Sequence, residues 1–180
     1  MTVLPHTLSP YLLRELRSDH AGETGAVYIY KGIETVAQWR GDVELINFAK
    51  AHGATESDHL NEVTKWLPPS QQSLLLGPWR CAGWLTGALP ALFGRRAVYT
   101  TIAAVETFVD QHYQQQIDHL HEVEGPPGLL PLLLRCQADE QHHRDESAAL
   151  AGDHIGLLLR AWCWTVGWGS SMAVVLARRI

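Results

Sequence analysis

The chain has 180 residues, 46% of them apolar, which suits one compact domain with a real core spanning residues 1–180. Fourteen Lys and Arg stand against 19 Asp and Glu, a formal net charge of −5, and no basic stripe is visible, so a nucleic-acid partner is not expected. Three cysteines, Cys81, Cys136 and Cys163, are odd in number and never at Cys-x-x-Cys spacing. That argues against a disulfide framework or a zinc ribbon and for reduced, buried thiols in a cytosolic compartment. Ten His and seven Trp are high for this length; the first invites a metal reading, the second an interface reading. Met1 to His20 has no apolar stretch of signal-peptide length and lacks the Arg and Ser richness of a transit peptide.

Six helices are predicted in chain order. The first runs from about Pro10 to Arg40, capped by Ser9 with Pro10 at its first position. The second covers about Asp42 to Leu67 and stops at Pro68-Pro69. A short, very apolar third covers about Gly77 to Phe93. The fourth, about Arg95 to Val123, ends at Gly125-Pro126-Pro127. The fifth covers about Gly128 to Ala151, and the sixth runs from about His154 to the end.

A weak repeat lies inside this order. Glu23 precedes Glu56 by 33 residues and Glu106 precedes Glu140 by 34. Each second member opens a Glu-x-x-His, Glu56 to His59 and Glu140 to His143. Helices one and two therefore look like one half and helices four and five like the other, with the third as the crossover between them. On a helix, positions i and i+3 share a face, so each Glu-x-x-His can hold one metal ion. Glu23 and Glu106 sit on apolar stripes, Leu16-Glu23-Val27-Tyr30 and Ile102-Glu106-Val109-Tyr113-Ile117, where an unpaired carboxylate is costly to bury and a cation relieves the cost. One Glu from each of two helices plus Glu-x-x-His from each of two others is a dimetal arrangement of helical bundles. Oxygen and imidazole donors without thiolate favour iron or manganese over structural zinc. The expected fold is all-α, a ferritin-like four-helix bundle with two additional apolar helices.

Arg17-Ser18-Asp19-His20-Ala21-Gly22-Glu23-Thr24-Gly25-Ala26 with Ile29-Tyr30, then Glu56-Ser57-Asp58-His59-Leu60, Val105-Glu106, His112-Tyr113 with Gln116-Ile117, and Asp139-Glu140 with His143, resemble the signatures of the demethoxyubiquinone hydroxylases across nearly the whole chain. Ile33 and Thr107 depart from the common pattern, and neither is one of the six acids and histidines above. The resemblance implies two irons and the O2-dependent hydroxylation of a polyprenyl methoxy-benzoquinol ring in ubiquinone synthesis. It also places His112 and Tyr113 beside the site as candidates for relaying electrons or protons. Asp19, Asp110 and Asp139 each lie within a turn of a candidate ligand and are candidates to orient a histidine. The electron donor, NADH or a separate reductase, is unreadable, because no Gly-x-Gly-x-x-Gly is present. Self-association into a homo-oligomer stays open.

A polyprenyl substrate implies contact with a bilayer. Trp79 to Phe93 and Ala161 to Ala177 are the apolar stretches outside the ligand-bearing helices, and they hold five of the seven Trp. Both are short or borderline for crossing a membrane, and Trp favours the headgroup level. The expected arrangement is a peripheral protein on the cytoplasmic face of the cell membrane, or on the mitochondrial inner membrane in a eukaryote. The two segments should lie adjacent and form an exposed patch, with Gly83, Gly87 and Ala88 leaving room for the tail. The alternatives are a ferroxidase or rubrerythrin-like iron protein and a lipid-binding bundle without enzymatic activity.

Overall fold

The structure, a computed structural model, describes residues 8–153 and 155–180. The described residues form six α-helices and one short 3-10 turn, with no strand among them. The helices are α1 (Pro10–Arg40), α2 (Val43–Trp66), α3 (Leu76–Leu92), α4 (Arg95–Glu122), α5 (Leu129–Ala151) and α6 (Leu157–Ala177). The all-α ferritin-like expectation holds. Five of the six helices begin and end within a residue or so of their predicted bounds. The predicted start of the last, His154, and the first residues of the leader reading, 1–7, lie outside the described residues.

Local chemistry explains the helix ends. Ser9 Oγ accepts a hydrogen bond from the Leu12 N–H at 3.2 Å, and Pro10 fills the position where no donor is needed. Gly41 closes α1 at φ 68°, a conformation costly for a residue with a Cβ. Asp42 then caps α2, taking the Leu45 N–H at 3.1 Å, and binds Arg95 of α4 at 2.8 Å, so one side chain ties α2 to α4 at this end.

Four helices, α1, α2, α4 and α5, make the bundle, in two antiparallel pairs. Tyr30 of α1 reaches Glu106 of α4, and His59 of α2 reaches Asp139 of α5. Because α2 and α4 run the same way, the chain needs a long return, and α3 supplies it along the outside of α1. That contact is extremely close. A Cβ on Gly87 would stand 1.9 Å from the Ile29 carbonyl oxygen, and one on Gly83 would stand 2.3 Å from that of Gly25. These glycines let two backbones touch; Gly83 also lines an apolar cavity between α3 and α6, whereas Gly87 and Ala88, named with it from the sequence as room for a tail, pack against α1 and do not line it. The difference follows from the direction of the small face of α3, which turns toward α1. Helix α6 lies over α4 and α1, pinned by Trp162 Nε1–H to Thr101 Oγ1 at 2.9 Å and by Arg178 to Glu15 at 2.6 Å.

The apolar interior splits in two. One cluster centres on Ile33, Leu45, Val98 and Ile102, the other on Leu16, Val63, Leu129 and Leu133. Between them lies a polar layer that is just as buried. Of the three cysteines, Cys136 is buried and Cys163 partly so, but Cys81 is exposed, because its position on α3 turns away from α1; all three are free thiols.

Candidate metal centre

That polar layer contains Glu23, Glu56, His59, Glu106, Glu140 and His143, all at least 96% buried. The bundle brings all six together. Ligand atoms of Glu23, Glu56, His59 and Glu140 lie within 4.8 Å of one another, and so do those of Glu106, Glu56, Glu140 and His143. Glu56 and Glu140 belong to both groups. Each group thus has two shared carboxylates, one carboxylate of its own and one imidazole, the donor set for two adjacent cations.

The manner of contact identifies a common focus. His59 Nδ1 stands 3.0 Å from Glu140 Oε1, and His143 Nδ1 stands 3.0 Å from Glu56 Oε1. These are ion-pair distances, yet the angles do not make hydrogen bonds, and both oxygens of Glu56 and of Glu140, both Nδ1 atoms and Glu23 Oε2 remain without a partner. Buried polar atoms are nearly always satisfied. Seven orphaned atoms in one layer, with the ligand atoms of each group within 4.8 Å of one another, fit a site that could hold metal ions.

Electrostatics agree. Burial first, then the carboxylates of its neighbours, pushes Glu23 and Glu106 well above the usual carboxylate range. Burial also raises Glu56, but contact with His143 and His59 outweighs it and holds that carboxyl down at about 2. For His143 burial lowers the imidazole and the Glu140 and Glu56 carboxylates more than reverse this, to about 9; His59 is raised in the same way. A dication bound here would replace these protons as the compensating charge.

Each unshared glutamate has a tyrosine seven residues later on its own helix, Tyr30 after Glu23 and Tyr113 after Glu106, and the pairs cross. Tyr113 O–H donates to Glu23, and Tyr30 O–H donates to Glu106 at 3.4 Å. Burial and the nearby carboxylates keep both phenols protonated as donors. Sequence reasoning gives Tyr113 a role at the site but places Tyr30 only on the apolar stripe, although the repeated Glu-to-Tyr spacing is there to be read.

The three candidate orienting aspartates separate. Asp139 Oδ2 lies 3.0 Å from His59 Nε2, and since a carboxylate only accepts, the ring keeps a proton there, which leaves Nδ1 to face the centre as the donor a bound cation would take. Asp19 instead binds His112 Nε2 at 3.0 Å and Gln116 at 2.8 Å. Asp110 binds Gln137, Gln141 and Arg144 on α5 and touches neither histidine of the cluster. Replacing Asp139 with Asn is expected to weaken metal binding about 10- to 100-fold with the helical content unchanged, measured by competition with a chelator; unchanged affinity would remove Asp139 from the site.

An apolar cavity of about 340 Å³ opens beside the cluster between α3 and α6. Glu23, Glu106, Glu140, His112 and Tyr113 line its inner end, and Trp79, Thr86, Trp162, Val166 and Val174 line its outer walls. On the opposite side of the cluster lies a polar cleft of about 430 Å³ between α2 and α5, which reaches His143. Sequence reasoning misses two residues there: His52, one turn before Glu56, stacks edge-on to His143 with ring centres 4.2 Å apart, and its Nε2 lies 3.0 Å from Glu146.

A helical bundle that buries four glutamates and two histidines in this pattern belongs to the ferritin-like metal-binding class. A sequence model of the family described as ubiquinone biosynthesis protein COQ7 matches residues 10–177, and the chain belongs to that family. It is similar to the 3-demethoxyubiquinol 3-hydroxylase of Rhodospirillum rubrum, 35% identical over 147 residues that cover 79% of this chain and 67% of that one. It is also similar to the mitochondrial NADPH-dependent 3-demethoxyubiquinone 3-hydroxylases of Caenorhabditis elegans and Homo sapiens. The first is 28% identical, covering 92% of this chain and 88% of the relative; the second is 29% identical, covering 93% and 77%.

Proposed function

We propose that this chain is a di-iron monooxygenase that hydroxylates the ring of a polyprenyl methoxy-benzoquinol, the demethoxyubiquinol of ubiquinone biosynthesis. The observation that carries this reading is the apolar cavity that ends on the buried carboxylate–histidine cluster. A ferroxidase needs the cluster but not the cavity, and a lipid-binding bundle needs the cavity but not the cluster. Glu23, Glu56, His59, Glu106, Glu140 and His143 would hold the two irons, which would supply the activation of O2. One oxygen atom enters a ring C–H bond and the other leaves as water, which takes two electrons and two protons from a donor. A reduced nicotinamide is the donor suggested by the names of the eukaryotic relatives.

The chain's own groups do the positioning. The apolar walls exclude water and align the ring at the inner end of the cavity. Tyr113 holds Glu23 through its hydroxyl, and His112, fixed by Asp19 and by Ser18 Oγ at 3.1 Å, stands at the same end of the cavity as a proton-exchanging group. The test is to load the protein with iron, supply demethoxyubiquinol, O2 and reductant, and follow the hydroxylated product by mass spectrometry. No product, with Fe(II) oxidised in its place, would favour the ferroxidase.

The surface supports contact with a bilayer. No helix among the described residues is long and apolar enough to cross a membrane. On α3 and α6, which flank the cavity, Leu85, Leu89, Trp164 and Trp168 face outward, with Phe93 84% and Leu158 90% exposed at their ends. The segments 76–96 and 157–180 hold six arginines and no acid, in a chain of net charge −5. An apolar surface on segments that carry arginines, four of the six outside the Arg95–Asp42 and Arg178–Glu15 pairs, suits one leaflet of a bilayer, with the quinone tail passing from it into the cavity. Leu89→Glu is expected to lower partition onto vesicles about 10- to 100-fold, the worth of one buried leucine, with iron content unchanged. Partition equal to that of the parent would sink the membrane reading.

A further inference from the structure

The buried centre must receive its metal from solvent, and the two openings beside it differ in chemistry. The cavity between α3 and α6 is walled mostly by apolar side chains, and its outer walls offer a hydrated cation no carboxylate or imidazole. The cleft between α2 and α5 also has apolar walls, Phe48, Ala51 and Leu150, but it carries a run of donor side chains, among them His52, His142, His143 and Glu146. Glu146 stands at its mouth, 42% exposed, with His142 Nε2 3.8 Å from the same carboxylate and Asn47 across from it. His52 forms the floor. It is 96% buried, its Nε2 meets Glu146 at 3.0 Å, and its Nδ1 has no partner. Its ring packs on His143, whose own Nδ1 is an orphaned donor of the centre. Donors thus continue from solvent to the cluster: Glu146, His52, then His143 and Glu56.

A cation that moves into a protein sheds water only as fast as new donors replace it. A half-exposed carboxylate attracts the hydrated ion, and an imidazole behind it takes up a coordination position as water leaves. The two groups are too few to make a resident site, and only two clusters of three or more convergent ligands exist among the described residues, both in the buried centre. We propose that this cleft is the port through which divalent iron is loaded, with Glu146 and His52 as transient ligands on the way to His143 and Glu56. The proposal rests on the reading of the centre as a di-iron site.

The test uses the full chain, stripped of metal and mixed without oxygen with Fe(II) or, for its visible spectrum, Co(II). Uptake is followed by stopped flow, and final stoichiometry by metal analysis. Glu146→Gln removes the attracting charge, and Asn47→Arg places a repelling one at the mouth; both positions are exposed, so folding is not at stake. Each is expected to slow uptake about tenfold or more while the final content stays at that of the parent. Uptake by both variants at the parent's rate would overturn the port, and so would a lower final content with an unchanged rate, since Glu146 would then belong to a resting site. Failure of the parent itself to bind two cations would overturn the di-iron reading, and is seen separately in the stoichiometry.

Discussion

Replacing Glu140 or His143 with Ala is expected to leave fewer than about two irons per chain and to reduce hydroxylation more than about 100-fold. Loss of a partner outside the ligand sphere of a metal already costs 10- to 100-fold, and a ligand costs more. Glu140 should have the larger effect. Its oxygens belong to both groups of convergent atoms, so its loss removes a donor from each cation, whereas His143 serves one. Metal analysis and product formation, measured on the same preparation, decide this. A Glu140→Ala protein that is fully loaded and active would refute the assignment of the centre.

Metal removal should also be visible in stability. A ligand present at about 1,000 times its Kd contributes about 4 kcal/mol, so stripping the cations is expected to lower Tm by about 10 °C in a chain of this length. The Glu106→Gln variant should behave in the opposite sense. Glu106 has its folded pKa raised well above the ordinary 4.5 by burial and by Glu140 and Glu56. A carboxyl of that kind is favourable in the fold while protonated. Its contribution is lost as pH rises from about its unfolded value toward the folded one. An amide does not ionise. The stripped Glu106→Gln protein is therefore expected to melt several degrees above the stripped parent at neutral pH, with the difference vanishing below about pH 4, although it binds less metal. Scanning calorimetry of the two stripped proteins across that range checks it; identical melting at neutral pH would mean that the four carboxylates do not repel in the fold.

The centre is unusually legible in the amino-acid sequence because helices carry local rules. Glu56 with His59, and Glu140 with His143, are fixed on one face by the 3.6-residue period alone, and Ser9, Asp42, Pro68 and Gly125 mark helix ends by backbone chemistry that needs no tertiary context. The apolar stripes around Glu23 and Glu106 report that these acids turn inward. Nothing local reports which acids are shared, and the bundle decides that: Glu56 and Glu140 face each other across α2 and α5, while Glu23 and Glu106 flank them from α1 and α4.

The rest depends on long-range packing. By sequence, Asp19, Asp110 and Asp139 are equal candidates to orient a histidine, and only the apposition of α5 on α2 singles out Asp139. Gly83, Gly87 and Ala88 read alike as room for a substrate tail, but a small residue leaves space only if no other backbone fills it; α1 fills it at Gly87, and only Gly83 of the three reaches the cavity. His52 carries a signal, one turn from Glu56 on the same face, whereas Glu146 gains its meaning from a helix nearly a hundred residues away. The amino-acid sequence by itself determined the six helices, the six inward-facing candidate donors and the two apolar segments, because each follows from periodicity, capping or hydropathy within one stretch of chain. Only the tertiary structure decided which donors are shared and where the two openings to the centre lie, because these depend on which helix faces meet, and that is set by the packing of the whole bundle.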